Sequence, residues 1–231
     1  MKPISLIIPA YNEEKRIEKS LTDYQAFAGK NYSDYELLVV CDGCTDRTPE
    51  IVKEFCRQDS HIKILEFPHK LGKGGGVLEG FKVAKGDLIG FVDADGAVSP
   101  EEFDKLVKAL NGADCAIASR HVATSKILAK QSLLRRTASR GFNLLVRMMF
   151  GLPFKDTQCG AKVIKKNIVD DILPKMISRG YEFDVELLWR IKKSGRIIKE
   201  VPITWHHKGE SRFSLKYAPR MFFGLLKVRF S

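Results

Sequence analysis

Five apolar runs, at residues 5–8, 37–40, 62–65, 88–92 and 115–119, recur through the first half of the chain with an amphipathic stretch between each pair. Runs of four or five mostly branched or aromatic residues have the length of buried strands, and the stretches between them have the length of helices. That alternation predicts an α/β fold, a mostly parallel sheet with helices on both faces. Helix starts are marked by Thr48-Pro49 and by Ser99-Pro100-Glu101-Glu102, a cap followed by proline at the first helical position and, in the second case, a capping-box glutamate. Lys85-Gly86, Asn111-Gly112 and Ser194-Gly195 read as helix stops.

A parallel sheet binds ligands beyond the carboxyl ends of its strands, and here those ends carry the polar residues. Pro9-Ala10-Tyr11-Asn12-Glu13 follows the first run, Cys41-Asp42-Gly43 the second and Asp93-Ala94-Asp95 the fourth. Side chains alternate along an extended chain, so Asp93 and Asp95 are expected to point the same way and share one ion or ion-bound ligand. Their oxygen donors suit Mg²⁺ or Mn²⁺ holding a diphosphate. Gly72, Gly74, Gly75 and Gly76 surround Lys73 without the Gly-Lys-Ser/Thr ending of a P-loop, and no acidic ribose partner follows in Rossmann fashion. A tight turn opening a helix remains, with Lys73 either facing solvent or near the nucleotide.

The 231 residues fit one domain, residues 1–231, and 39 Lys and Arg against 28 Asp and Glu give a net charge of +11, which calls for an anionic partner. The second half mixes large apolar with basic residues: residues 126–152 carry Lys126, Lys130, Arg135, Arg136, Arg140 and Arg147, and residues 216–229 repeat the mixture. Such basic amphipathic segments suit either an interfacial helix on anionic lipid or a helix packed on the sheet with a solvated basic face. The longest apolar stretches, 142–152 and 221–226, fall short of the ~20 residues that a spanning helix needs, and the amino-terminal run is too short for an export signal. A peripheral, cytoplasmic protein is expected, and its five cysteines are expected to be free, buried thiols. Asp184 and Glu186, two apart, do not share a helical face, so one is expected near the site and the other exposed. Trp205-His206-His207 reads as structural or acceptor-lining rather than as a metal site.

The ordered set Ile8-Pro9-Ala10-Tyr11-Asn12-Glu13-Glu14, Gly72-Lys73-Gly74-Gly75, Asp93-Ala94-Asp95-Gly96-Ala97, Asp156-Thr157-Gln158-Cys159-Gly160 and Phe183-Asp184-Val185-Glu186-Leu187-Leu188 resembles the inverting, metal-dependent glycosyltransferases of family 2, which have the GT-A fold. Within them it is most similar to the polyprenyl-phosphate sugar synthases of the dolichyl-phosphate β-glucosyltransferase subgroup. The resemblance implies a donor site at Pro9, Tyr11, Asn12, Glu13, Asp42, Asp93, Ala94 and Asp95, a divalent ion on Asp93 and Asp95, and a catalytic role for these two with Arg120 and Asp156. It implies that Arg120, Arg135 and Ser139 hold the acceptor phosphate, residues 1–120 forming the nucleotide-sugar and metal half and 121–231 the acceptor and membrane-facing half. The substrates implied are UDP-glucose and dolichyl (polyprenyl) phosphate, the alternative donor being GDP-mannose. Cys41 and Cys44 depart from the subgroup, which has a second Asp before Asp42 and a Ser after it. A non-enzymatic alternative, a basic module binding nucleic acid or anionic lipid, lacks the interleaved aromatics and recognition motifs of nucleic-acid binding, so no nucleic-acid partner is expected.

Overall fold

The computed structural model describes residues 2–127, 133–206 and 218–231, with no account of the side chains of residues 133–140 and 218. Among the described residues seven strands form one sheet in the order β3-β2-β1-β4-β7-β5-β8: β1 (Ile4–Ala10), β2 (Tyr35–Asp42), β3 (Ile62–Phe67), β4 (Leu88–Val92), β5 (Cys115–Ser119), β7 (Ala161–Lys165) and β8 (Ile198–Pro202). All pairings are parallel except those of β7, which runs antiparallel between β4 and β5. A second sheet pairs β6 (Lys126–Ile127) with β9 (Thr204–Trp205). The expected α/β architecture is present, and the five runs read from sequence are its first five strands.

Strand alternation explains why helices cover both faces. Ile4, Leu6, Ile8, Leu37 and Val39 enter one apolar cluster, which α1 (Ile17–Asn31) and α4 (Pro100–Ala109) close with Leu21, Tyr24, Phe103 and Leu106. Ile7, Leu38, Val40, Ile89 and Phe91 enter the other, closed by α3 (Lys73–Val83), α6 (Lys166–Ile172), α7 (Phe183–Lys193) and α8 (Ala218–Arg229). Each fully buried Ile, Leu or Phe removes enough apolar surface from water to contribute ~1.5–3 kcal/mol. Gly90 matters to this packing because a methyl group there would strike the Phe103 ring.

Register decides where the polar residues land. Ala10 pairs with Cys41 and Ile7 with Phe91, so β1, β2 and β4 end side by side, with the order reversing between β1 and β4. Ala161 pairs with Val92 at the start of antiparallel β7, so the segment before that strand, 156–160, reaches the same rim. Ser99 caps α4 by accepting the Glu102 N–H at 3.4 Å. α2 (Thr48–Gln58) instead takes its entry bond from Asp46, which accepts both the Thr48 N–H and hydroxyl. Gly112 and Gly195 terminate helices with positive φ, as expected.

Gly86 does not. Helix α3 ends at Val83 with extended Ala84, and Gly86 instead brings the chain against β1, its N–H donating to the buried Ser5 hydroxyl at 2.8 Å. Ser5 in turn donates to Glu36 at 2.6 Å. A Cβ at position 86 would collide with the backbone of Ile4 and Ser5. Gly86→Ala is therefore expected to destabilise the fold by about 1–3 kcal/mol, the usual cost of overpacking against an immobile backbone, read as a lower urea midpoint at unchanged slope.

Candidate active site

The loop after β1 is fastened to the loop after β2. Asn12 adopts φ +53°, its amide donates to the Thr45 hydroxyl at 3.1 Å, and its carbonyl accepts the Thr45 N–H at 2.7 Å. Asn is among the few residues that enter this left-handed region at low cost. The Glu13 N–H donates to the Thr48 hydroxyl at 2.7 Å, and the Glu13 carboxylate accepts from Arg16 at 2.7 Å. The Tyr11 ring lies under the Lys70 ammonium, 3.6 Å from its centroid. Pro9 sits at the end of β1, where Gly76 of α3 approaches so closely that an added Cβ would lie 3.3 Å from it.

Asp42, at the end of β2, is buried, and its two oxygens accept the Leu71 N–H and the Gly72 N–H, the latter at 3.0 Å. It thereby ties down the turn that opens α3, where Gly72 has φ +87° and leads into Lys73. Cys41 and Cys44 are neighbours: a hydrogen bond between the thiols draws Cys44 down to about 7 and pushes Cys41 up. All five cysteines are free thiols, but only Cys41, Cys115 and Cys159 are buried as expected; Cys44 and Cys56 are partly exposed.

Asp93-Ala94-Asp95 falls in a turn just beyond β4, not on an extended segment as the alternation argument assumed. The two carboxylates nevertheless stand close enough to act on each other. Burial raises the Asp95 carboxyl above its usual range, and the Asp93 charge raises it further. Asp95 also accepts the Ala97 N–H at 2.9 Å. Asp93 takes the Lys73 ammonium at 2.9 Å, and Gly160 makes room for it: a Cβ there would overlap the Asp93 carboxylate, whose backbone N–H donates to the Gly160 carbonyl at 3.0 Å. Two carboxylates that act on each other offer oxygen donors of the kind a hard divalent ion, Mg²⁺ or Mn²⁺, takes; among the described residues no further acidic, His or Cys side chain completes a three-ligand cluster with Asp93 and Asp95.

Arg120, directly after β5, makes a two-pronged ion pair with Asp156: Nε to Oδ2 at 2.7 Å and Nη2 to Oδ1 at 2.9 Å, with the Arg120 N–H adding 3.0 Å to Oδ2. Trp205 of β9 flanks the guanidinium, its ring 5.7 Å away. Glu200 of β8 holds the Asp156 backbone N–H at 2.9 Å. Burial works against an ionised Asp156, yet the Arg120 charge prevails and holds its carboxyl at about 2. The Asp93 charge also acts on Arg120, so the two groups share one electrostatic field at the rim.

Sequence reasoning missed Lys162, and it expected one of Asp184 and Glu186 near the site without saying which. Asp184, in the first turn of α7, is buried, lies 3.6 Å from Lys73 and accepts 2.5 Å from Lys162, whose ammonium also donates to the Cys159 carbonyl at 2.9 Å. Lys162 is fully buried on β7. A lysine inside the apolar strand Ala161-Lys162-Val163-Ile164 was the available signal, since such a charge needs a partner. Glu186 is buried as well, not exposed, because it accepts the Ile177 and Ser178 N–H groups and Arg190 at 2.7 Å, shaping the loop before α7. His206 is exposed and its backbone N–H donates to the Ala97 carbonyl at 3.0 Å, while His207 lies outside the described residues. Arg135 and Ser139 fall in α5 (Leu133–Phe150), in its part without described side chains; Lys130 lies outside the described residues altogether.

The depressed Asp156 carboxyl has a signed consequence. Its contribution is complete above the ordinary value of 3.8 and is lost as pH falls toward about 2. Asp156→Asn, leaving a largely buried guanidinium uncompensated, is expected to lower stability by about 3–5 kcal/mol at neutral pH and to flatten the acid limb of the stability curve. Urea titrations of both proteins across that pH range measure it, and parallel curves would contradict it.

Comparison with known proteins adds an independent line. The family described as glycosyl transferase family 2 matches residues 5–173. The dolichyl-phosphate beta-glucosyltransferase of Saccharomyces cerevisiae is 34% identical over 92% of this chain and 69% of its own length. The Trichomonas vaginalis dolichyl-phosphate beta-glucosyltransferase ALG5C is 31% identical, over 97% of this chain and 70% of its own. Among solved structures, glucosyl-3-phosphoglycerate synthase of Mycobacterium tuberculosis, crystallised with Mn²⁺, UDP-glucose and phosphoglyceric acid, superposes with a TM-score of 0.73 over 99% of this chain and 79% of its own, at 19% identity, which shows the GT-A fold. With the family match spanning most of the chain and the sheet built as that fold requires, the protein belongs to glycosyl transferase family 2 and is a glycosyltransferase.

Proposed function

We propose that the protein transfers glucose from UDP-glucose to the phosphate of dolichol or a related polyprenol, giving a β-linked lipid-phosphate sugar. The observation that carries this reading is the convergence of Asp93, Asp95, Arg120 and Asp156 at one rim, in a chain whose relatives are named for that reaction. Tyr11, Asn12, Glu13 and Asp42 would frame the nucleoside, with Pro9 and Ala94 shaping the pocket. A bound Mg²⁺ or Mn²⁺ would supply Lewis-acid stabilisation of the departing diphosphate, held by Asp93 and Asp95. Arg120 is fixed by Asp156 before substrate arrives, so its positive charge meets the reacting phosphates without a reorganisation cost. The acceptor phosphate, with a second pKa near ~6 by analogy with phosphorylated side chains, is already an anion at neutral pH and needs no strong general base. Arg135 and Ser139, four apart on α5, would hold it for in-line attack. A single displacement inverts the anomeric centre.

The acceptor's lipid tail directs attention to the second half. The exposed Phe223 on α8 and Phe230 just beyond its end stand among Arg220, Lys227 and Arg229, and α5 exposes Leu144 and Met148 beside Arg147. The two helices meet where Arg229 donates to the Met149 carbonyl at 3.0 Å. Apolar side chains beside basic ones favour residence at an anionic lipid surface, and no helix among the described residues is long and apolar enough to cross a membrane. A peripheral protein on the cytoplasmic face is the corresponding reading.

Incubated with UDP-glucose, Mn²⁺ and a polyprenyl phosphate, the protein is expected to yield an organic-extractable β-linked glucose phospholipid, with Asp95→Asn at least ~1,000-fold slower, the scale of a lost metal contact. Transfer from GDP-mannose in preference to UDP-glucose would replace the donor, and no transfer from either would overturn the reading. In flotation with vesicles containing phosphatidylglycerol, Phe223→Ser combined with Phe230→Ser is expected to cut binding about tenfold or more, and undiminished binding would remove these helices from the membrane contact.

A further inference from the structure

Lys73 has no task in the transfer chemistry so far assigned, although it is the side chain that occupies the metal motif. Its ammonium lies 2.9 Å from Asp93 Oδ1 and 3.6 Å from Asp184 Oδ2, and the side chain is 18% exposed. Its position is imposed from below. Gly74 abuts Phe183, where a Cβ would overlap the ring's attachment, and Gly76 abuts Pro9, so the first turn of α3 is drawn hard against the rim. Asp184, the second anion on Lys73, is itself locked by the fully buried Lys162 at 2.5 Å. The result is a row of alternating charges, Lys162, Asp184, Lys73 and Asp93, of which only the last is substantially open to solvent, its side chain 40% exposed.

A row of this kind has an asymmetry. Lys73 is held by one buried carboxylate, closed to an added ion, and by one open carboxylate that a divalent ion would claim. When two cations compete for Asp93, the divalent one is favoured by its charge, and the displaced ammonium stays near because Asp184 retains it. A retained ammonium beside a metal-held diphosphate faces two or more negative charges at short range.

We propose that Lys73 is a tethered counter-ion of the donor site: it holds Asp93 in place before the donor arrives, yields it to the divalent ion, and then contacts the diphosphate, with Asp184 as the residue that positions it. This deepens the glycosyltransferase reading and rests on it. The covalent chemistry is unchanged, since Lys73 carries its proton throughout and no bond to it forms or breaks.

The two halves of the proposal act on binding with opposite signs. Mn²⁺ alone, followed by loss of the free-ion paramagnetic resonance signal, is expected to bind Lys73→Met about five- to tenfold more tightly than the wild type, because a competitor has been removed. UDP in the presence of saturating Mn²⁺, followed calorimetrically, is expected to bind the same variant at least tenfold more weakly. A purely structural lysine would weaken both together, so weaker Mn²⁺ binding overturns the placeholder role, and unchanged UDP binding overturns the diphosphate contact. Lys73→Gln, polar and uncharged, provides the same two readings if Lys73→Met does not give a cooperative melt. Wild-type protein that fails to bind UDP with Mn²⁺ would count against the donor-site reading itself, an outcome separable from any difference between wild type and variant.

Discussion

Burying carboxylates at the edge of a sheet is expensive unless each finds a cation or a set of N–H donors, and the rim of this protein is organised around that constraint. Asp42 is satisfied by two backbone N–H groups, Asp156 by the fork of Arg120, Asp184 by Lys162 and Lys73, and Asp93 by Lys73. Asp95 has the Ala97 N–H and the weight of a neighbouring negative charge. The gradient runs from anions enclosed by their partners inside to Asp93 and Asp95 at the mouth, where Asp93 is held by one displaceable ammonium and Asp95 by one N–H, and it is this pair that would have affinity to spare for an added ion.

Topology makes that gradient possible. Parallel strands all point their carboxyl ends at the rim, which brings the loops after β1, β2, β4 and β5 together. The antiparallel strand inserted between β4 and β5 turns its amino end to that rim, so Asp156 and Gly160 reach the same edge from the opposite chain direction. Arg120 and Asp156 meet because β5 and β7 are adjacent and opposed.

The first five strands were legible in the sequence because each is an uninterrupted apolar run between amphipathic stretches, and their register placed Asp42, Asp93 and Asp95 at one edge. The antiparallel strand was not, since Ala161-Lys162-Val163-Ile164-Lys165 carries two lysines and looks like surface until Asp184 is seen beneath Lys162. Gly86 misled for a related reason: glycine after a helix usually supplies positive φ, whereas here it supplies clearance for β1. Asp184 and Glu186 could be placed on a helix by spacing, but which faces were buried depended on Lys162 and on the loop before α7, which periodicity does not reveal. The motifs supported the family through their order along the chain, and Lys73, ambiguous as a residue in a glycine-rich turn, acquires meaning only from the two carboxylates it spans.

The proposed sugar transfer turns on a divalent ion that Asp93 and Asp95 would hold beside a nucleoside diphosphate. Anomalous scattering from crystals grown with UDP and Mn²⁺ tests it most directly. One strong manganese peak within bonding distance of an Asp95 oxygen and of the diphosphate is the predicted result; a nucleotide bound at the rim with no manganese beside those carboxylates, or manganese bound elsewhere in the chain, would contradict it.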